Sequence, residues 1–337
     1  MSTWTTNPFR RPQPTWEGAG FSFLSEPRAQ GFHRRLPGYA ETPLRSLPAL
    51  ARELGLGALL VKDEADRCSI QSFKALGASF AIYRFLQREW QTRFPDPFPA
   101  DSLFCDPGAL VRLGPRTFCA ATDGNHGRAV AWTARMLGQK AVIYLPAGSA
   151  PARIDHLRHE GAEVVIVDGT FDDCVVRCAE DGERNGWQAV SDTAYEGYWD
   201  LPGWILLGYS TLFHELESSL FPPAAPQADV VFLPAGVGGL AAAGANFLAR
   251  RYGAGRPRTL CVEPDSSAGF LESIVAGDGA CHLASGRQES IMVGLNCGLP
   301  SPLAWPIVRD TVDAFLAIPD RYAEEAMRRY ARPLPGD

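Results

Sequence analysis

TFCAATDGNHGRAVAWTARMLGQKAVIYLP, residues 117–146, decides the fold class. TFCAAT reads as a strand, GRAVAWTARMLG as a helix and KAVIYLP as a second strand. Short apolar runs separated by helices form parallel strands joined by crossover helices. The rhythm continues downstream. PARIDHLRHEG (151–161) and TFDDCVVRCAEDGERNG (170–186) read as helices, and AEVVIVD (162–168) and WQAVSD (187–192) as strands. Further along, ADVVFLPAG (228–236) and RTLCVEPD (258–265) read as strands. Upstream, residues 47–57 and 73–93 carry helical patterns and ALLVKD (58–63) a strand pattern. The proline-rich segment 94–116 reads as a loop or surface insertion. The expectation is an α/β protein with parallel-rich sheets flanked by helices.

The 337 residues suffice for two domains or one large one. With 46% hydrophobic and 21% charged residues, a sizeable core is available and general disorder is excluded. The net charge of −6 argues against a broad nucleic-acid surface. MSTWTTNPFRRPQP at the N-terminus lacks the apolar centre of a signal peptide, so a cytoplasmic location is expected. The uncharged run 230–249 contains four glycines, a proline and an asparagine. It reads as strand, glycine turn and helix, and no membrane association is expected. The eight cysteines form no CxxC pair, so free thiols are expected, with Cys174 and Cys178 sharing a packed helical face. His156 and His159 could share a helical face, but no further ligand cluster accompanies them, and no metal is expected.

Three features carry chemistry. Within CSIQSFKALGASFA (68–81), Lys74 is the single basic residue among small and apolar ones. A lysine in such surroundings can form a Schiff base with an aldehyde cofactor, and an apolar site would lower its pKa so that the neutral amine attacks. TDGNHGRA (122–129) follows a strand and opens a helix, exposing N–H groups that suit an anion. Asp123 in that turn is either a helix cap or a functional acid. PAGVGGLAAAG (234–244) is a second strand-to-helix turn, where Gly236, Gly238 and Gly239 either bring the backbone close to a phosphate or serve tight packing.

In this order, with LLVKDEADRCSIQSFKALGASFA, ATDGNHGRAVAW, DTAYEGYWDLPGWILLGYSTLF, PAGVGGLAAA, VEPDSSAGF and IMVGLNCG, the chain resembles the fold type II (tryptophan-synthase-β-like) pyridoxal-phosphate enzymes. Within them it is most similar to the diaminopropionate ammonia-lyase family. General members such as threonine dehydratase typically carry a serine where Asp123 stands, so the aspartate points to the lyase branch.

The resemblance implies pyridoxal 5′-phosphate as cofactor, joined to Lys74 and positioned by Ser72 and Phe73. It implies that Asn125 contacts the cofactor's 3′ oxygen and that Gly236, Val237, Gly238 and Gly239 cradle its phosphate. Lys74, Asp123 and Asp192 would be catalytic, and Thr122, Asp123, His126 and Asp192 would bind substrate, although Asp192 also reads as a plain turn residue. The implied reaction is elimination from 2,3-diaminopropionate, giving pyruvate and ammonia; a serine or threonine dehydratase, a β-replacement enzyme and a non-catalytic homologue are the alternatives. The implied assembly is a homodimer with a small amino-acid substrate. The expected domains are a small one at 80–190 and a large cofactor-binding one at 1–79 and 191–337. The family normally continues beyond AMRRYARPLPGD with a segment that meets the pyridine nitrogen, so this chain is expected to be shortened there.

Overall fold

The computed structural model describes residues 3–16, 19–106, 108–122 and 124–337. Its strands, in chain order, are β1 (Thr3–Thr6), β2 (Leu44–Ser46), β3 (Leu60–Lys62), β4 (Thr117–Ala121), β5 (Lys140–Pro146), β6 (Glu163–Val167), β7 (Gln188–Ala189), β8 (Val230–Pro234), β9 (Arg258–Pro264) and β10 (Ala314–Ile318). The chain divides into two compact units. One comprises Met1–Thr15, Ala40–Gln71 and Glu215–Asp337, the other Trp16–Tyr39 and Ser72–His214.

The second unit contains the stretch that decides the fold. Its sheet has the order β6-β5-β4-β7, and all three pairings are parallel. β5 is buried from Ala141 to Leu145, which is why it reads as a continuous apolar run. The expected strand 187–192 contracts to two paired residues, Gln188 and Ala189. Helix Phe171–Asn185 starts at a capping box between Thr170 and Asp173 and ends at Gly186 in the left-handed region, φ 65°. Cys174 and Cys178 lie on its buried face, beside Cys119 and Tyr144.

Two long helices of this unit, Lys74–Arg93 and Asp200–His214, pack at unusually close range. A Cβ at Gly208 would sit 2.4 Å from the Leu76 carbonyl oxygen, and one at Gly77 would sit 2.4 Å from Tyr209 Cε1. Only glycine allows that approach. Residues 200–214 lie in the same unit as helix Lys74–Arg93. Buried His33 braces the pair, with Nδ1 2.7 Å from Thr211 Oγ1 and Nε2 2.9 Å from the Leu76 carbonyl oxygen.

In the first unit, β1-β10-β9-β8 form a sheet in which β1 is antiparallel and the others are parallel. A separate antiparallel pair joins β2 to β3. The fully buried Arg67 guanidinium donates to both Glu215 oxygens at 2.7 Å and both Glu64 oxygens at 2.8 Å. Lys62 Nζ adds a 2.6 Å bond to Glu215. A buried ionic cluster persists only when each charge is matched in this way. Cys68 and Gln71 follow in left-handed conformations, φ 50° and 56°, immediately before the segment that carries Lys74. Such values are uncommon for residues other than glycine.

Candidate active site

In the second unit the chain runs β4, β5, β6 outward and then returns to place β7 on the other side of β4. Open α/β sheets bind ligands beyond the carboxyl ends of strands at such a reversal. After β4 come Thr122 and then Asn125 and His126 at the start of a helix, and the turn after β7 carries Asp192. Asp123 lies outside the described residues.

Lys74 is the first residue of its helix, and its N–H donates to Ser72 Oγ at 3.3 Å. Its Nζ donates to Asp192 Oδ2 at 2.7 Å. The Phe73 and Tyr209 rings flank the ammonium, with centroids 5.6 and 5.5 Å away. The charge state of Lys74 differs from the neutral amine that its apolar neighbours suggest. Burial favours the neutral amine; the Asp192 carboxylate outweighs it and raises the Lys74 pKa. Beside Asp192 the lysine is a paired ammonium rather than a free amine. Burial likewise works against the Asp192 charge, and Lys74 overcomes it, holding the carboxyl well below its ordinary range. Burial pushes the Tyr209 phenol up to about 12.

His126 is buried, and its Nε2 lies 2.8 Å from the Val190 carbonyl oxygen. A carbonyl only accepts, so Nε2 carries a proton. Burial lowers the His126 pKa and favours the neutral ring, whose Nδ1 is then a bare acceptor. That atom has no partner among the described residues. An unsatisfied buried lone pair suits an incoming N–H donor. Asn125 opens helix Asn125–Met136 and is exposed. Thr122 is half-buried and its Oγ1 accepts the Gly124 N–H at 3.3 Å.

In the first unit, Gly236–Gly239 links β8 to helix Gly239–Tyr252. Gly238 has φ 95°, and a Cβ there would sit 2.3 Å from Phe270 Cζ. The Val237 and Gly238 N–H groups meet no acceptor among the described residues. Free N–H groups at a helix start, on a backbone stripped of side-chain bulk, form a cradle for a phosphate. This cradle fits a phosphorylated cofactor, and Lys74 fits an aldehyde. A cavity of about 690 Å³ elsewhere in the first unit, bordered by Arg45, Leu50, Arg329 and Tyr330, contains none of these residues.

Two residues of the site escaped the sequence reading. Tyr209 reaches Lys74 through the close helix packing, and Tyr198 holds the turn that carries Asp192. The signal for Tyr209 was Gly208 in ILLGYS, a small residue inside an apolar helix.

The profile of a family described as "Pyridoxal-phosphate dependent enzyme" matches residues 35–333. The diaminopropionate ammonia-lyase of Salmonella typhimurium is 38% identical over 316 residues, covering 90% of this chain and 75% of that protein. The holo crystal structure of the Escherichia coli diaminopropionate ammonia lyase superposes with a TM-score of 0.86 at 34% identity, covering 100% of this chain and 82% of that one. The same enzyme with an aminoacrylate-PLP azomethine reaction intermediate gives 0.85 at 34% identity, with the same coverage.

Proposed function

The chain belongs to the pyridoxal-phosphate-dependent enzyme family, and on that premise we propose that it is a carbon–nitrogen lyase that converts 2,3-diaminopropionate and water to pyruvate and two molecules of ammonia. The observation that carries the substrate assignment is its likeness, over most of its length, to diaminopropionate ammonia-lyases. A homodimer acting in the cytoplasm is part of the same proposal and is supported by the family resemblance.

Lys74 would hold the cofactor through its amine, Asn125 at the 3′ oxygen and the N–H groups of residues 236–239 at the phosphate. When bound, pyridoxal phosphate supplies an electron-poor ring that stabilises negative charge at the substrate's Cα. The remaining work falls to side chains. Asp192 Oδ2, 2.7 Å from Lys74 Nζ, takes the ammonium proton and frees the amine. Once Lys74 no longer carries charge, burial is the dominant influence on Asp192 and raises its pKa, so the carboxyl can hold that proton.

The β-amine of the substrate is cationic near neutral pH. Asp123 attracts it, and His126 Nδ1 accepts one of its N–H groups. At an effective dielectric of about 20, a charge pair ~4 Å apart gains roughly 4 kcal/mol before desolvation, enough to separate an amine from a hydroxyl substrate. An amine leaves poorly unless protonated, so a carboxylate beside Cβ must keep this one cationic until the bond breaks. Lys74 and Asp123 are the two bases assigned to the Cα proton.

Purified protein loaded with pyridoxal phosphate, given 2,3-diaminopropionate, serine or threonine in turn, tests this reading through pyruvate or 2-oxobutyrate release. Diaminopropionate is expected to have the highest kcat/KM. Preference for a hydroxyl substrate would replace the lyase with a dehydratase, and no turnover of any of them would leave a non-catalytic homologue.

A further inference from the structure

We propose that Tyr198 is a positioning residue whose phenol holds the Ala189–Asp192 turn, keeping the Asp192 carboxylate on Lys74 Nζ. The proposal rests on the role given to Asp192 above. β7 pairs with β4 at only two residues, so the segment carrying Asp192 leaves the sheet almost at once. Its backbone must be held by other means.

Four bonds to other segments do this upstream of Asp192. Val190 N–H donates to the Cys119 carbonyl at 2.8 Å, and His126 Nε2–H donates to the Val190 carbonyl at 2.8 Å. The other two converge on one atom. Tyr198 Oη donates its proton to the Ala189 carbonyl and accepts the Ser191 N–H, both at 2.9 Å. Ser191 N is the last amide before Asp192. On the far side, Thr193 N–H donates to Ser191 Oγ at 3.2 Å.

The phenol is itself rigidly mounted. Tyr195 and Tyr198 exchange backbone hydrogen bonds across a tight turn that contains Gly197 at φ 80°. Their rings stack at 4.7 Å with an interplanar angle of 10°. Phenylalanine at 198 would retain the ring and the stack but leave the Ser191 N–H without its partner, while the Ala189 carbonyl would keep only the Gln188 Nε2 donor at 2.8 Å.

The readout is the rate at which cyanate carbamylates Lys74 in the intact 337-residue chain without cofactor, followed by peptide mass. Only the neutral amine attacks the cyanate carbon, so the rate reports how firmly Asp192 holds the ammonium. Tyr198→Phe is expected to accelerate labelling on the order of 5-fold, the equivalent of one weakened hydrogen bond. Asp192→Asn should accelerate it more. The double variant should match Asp192→Asn alone, because Tyr198 acts through Asp192. A parent-like rate in Tyr198→Phe, or a double-variant effect equal to the product of the single effects, would overturn the proposal. So would a parent-like rate in Asp192→Asn.

If Tyr198→Phe fails to fold, Ser191→Ala, which cuts the tether on the other side of Asp192, takes its place with the same expectation, and a parent-like rate there also overturns the proposal. The assay needs no turnover. A chain that labels as expected yet releases no pyruvate from diaminopropionate would overturn the proposed reaction and leave this inference standing.

Discussion

Lys74 Nζ lies 2.7 Å from Asp192 Oδ2 across 118 positions of sequence. Each group sets the other's protonation, and neither state could be read from the residues beside it. Replacing Lys74 with Ala is expected to abolish turnover and the visible absorbance of bound pyridoxal phosphate. Asp192→Asn should keep the cofactor but lower kcat by about 10²-fold or more, the usual scale for a lost acid–base group. Spectra and steady-state rates of the two purified variants check both outcomes.

Glu263 offers a pH test in the other unit. It is fully buried and accepts the Phe270 and Leu271 N–H groups at 2.9 Å. Burial raises its pKa, the two hydrogen bonds oppose that, and the result is about 8. Between roughly pH 4.5 and 8 the folded protein keeps a proton that the unfolded chain has released, so stability falls as pH rises through that window. The slope from this one group is about 1.4 kcal/mol per pH unit. Urea midpoints at pH 5 and pH 8 should converge in Glu263→Gln, whatever its absolute stability.

Gly208→Ala should be strongly destabilising. The new methyl would meet the Leu76 carbonyl, a backbone atom that cannot swing aside. Forcing the helices apart costs typically ~1–3 kcal/mol, and more when backbone must move. Gly31→Ala is the control, because a Cβ there has nothing within 4 Å. Thermal melts of the two variants should differ clearly, with Gly31→Ala close to the parent.

Gly238→Ala should weaken cofactor binding at least ~10-fold, equivalent to about 1.4 kcal/mol. The positive φ strains any side chain, and the methyl would press on Phe270. Titration of the cofactor-free protein with pyridoxal phosphate, followed by absorbance, gives the comparison.

Asp123→Asn is expected to impair one enantiomer of diaminopropionate more than the other, because Lys74 serves a single face of the substrate plane. Initial rates on both enantiomers check this, and equal losses would remove the two-base assignment.

Much of the framework was legible because it is written in short-range pattern. β4, β5, β8 and β9 follow from apolar runs bounded by turns, and helix Phe171–Asn185 from its caps and period. β1 and β10, Thr3–Thr6 and Ala314–Ile318, did not declare themselves; β1 is four residues long and pairs with β10, which is itself set between β1 and β9. The isolation of Lys74 and the glycines at 236–239 were visible for a related reason. A lysine without charged neighbours and a turn without side chains are local departures from the ordinary chain.

The sequence by itself determined the alternation of strand and helix, the isolated lysine and the glycine turn at 236–239, since backbone stiffness, side-chain period and glycine's lack of a Cβ act over a few residues. Only the tertiary structure decided that β7 returns beside β4, that Gly77 and Gly208 bring Tyr209 against Lys74, and that Lys74 is a paired ammonium rather than a neutral amine. Those outcomes depend on burial and on Coulomb attraction between groups far apart in the chain, and neither leaves a periodic trace in the residues that carry it.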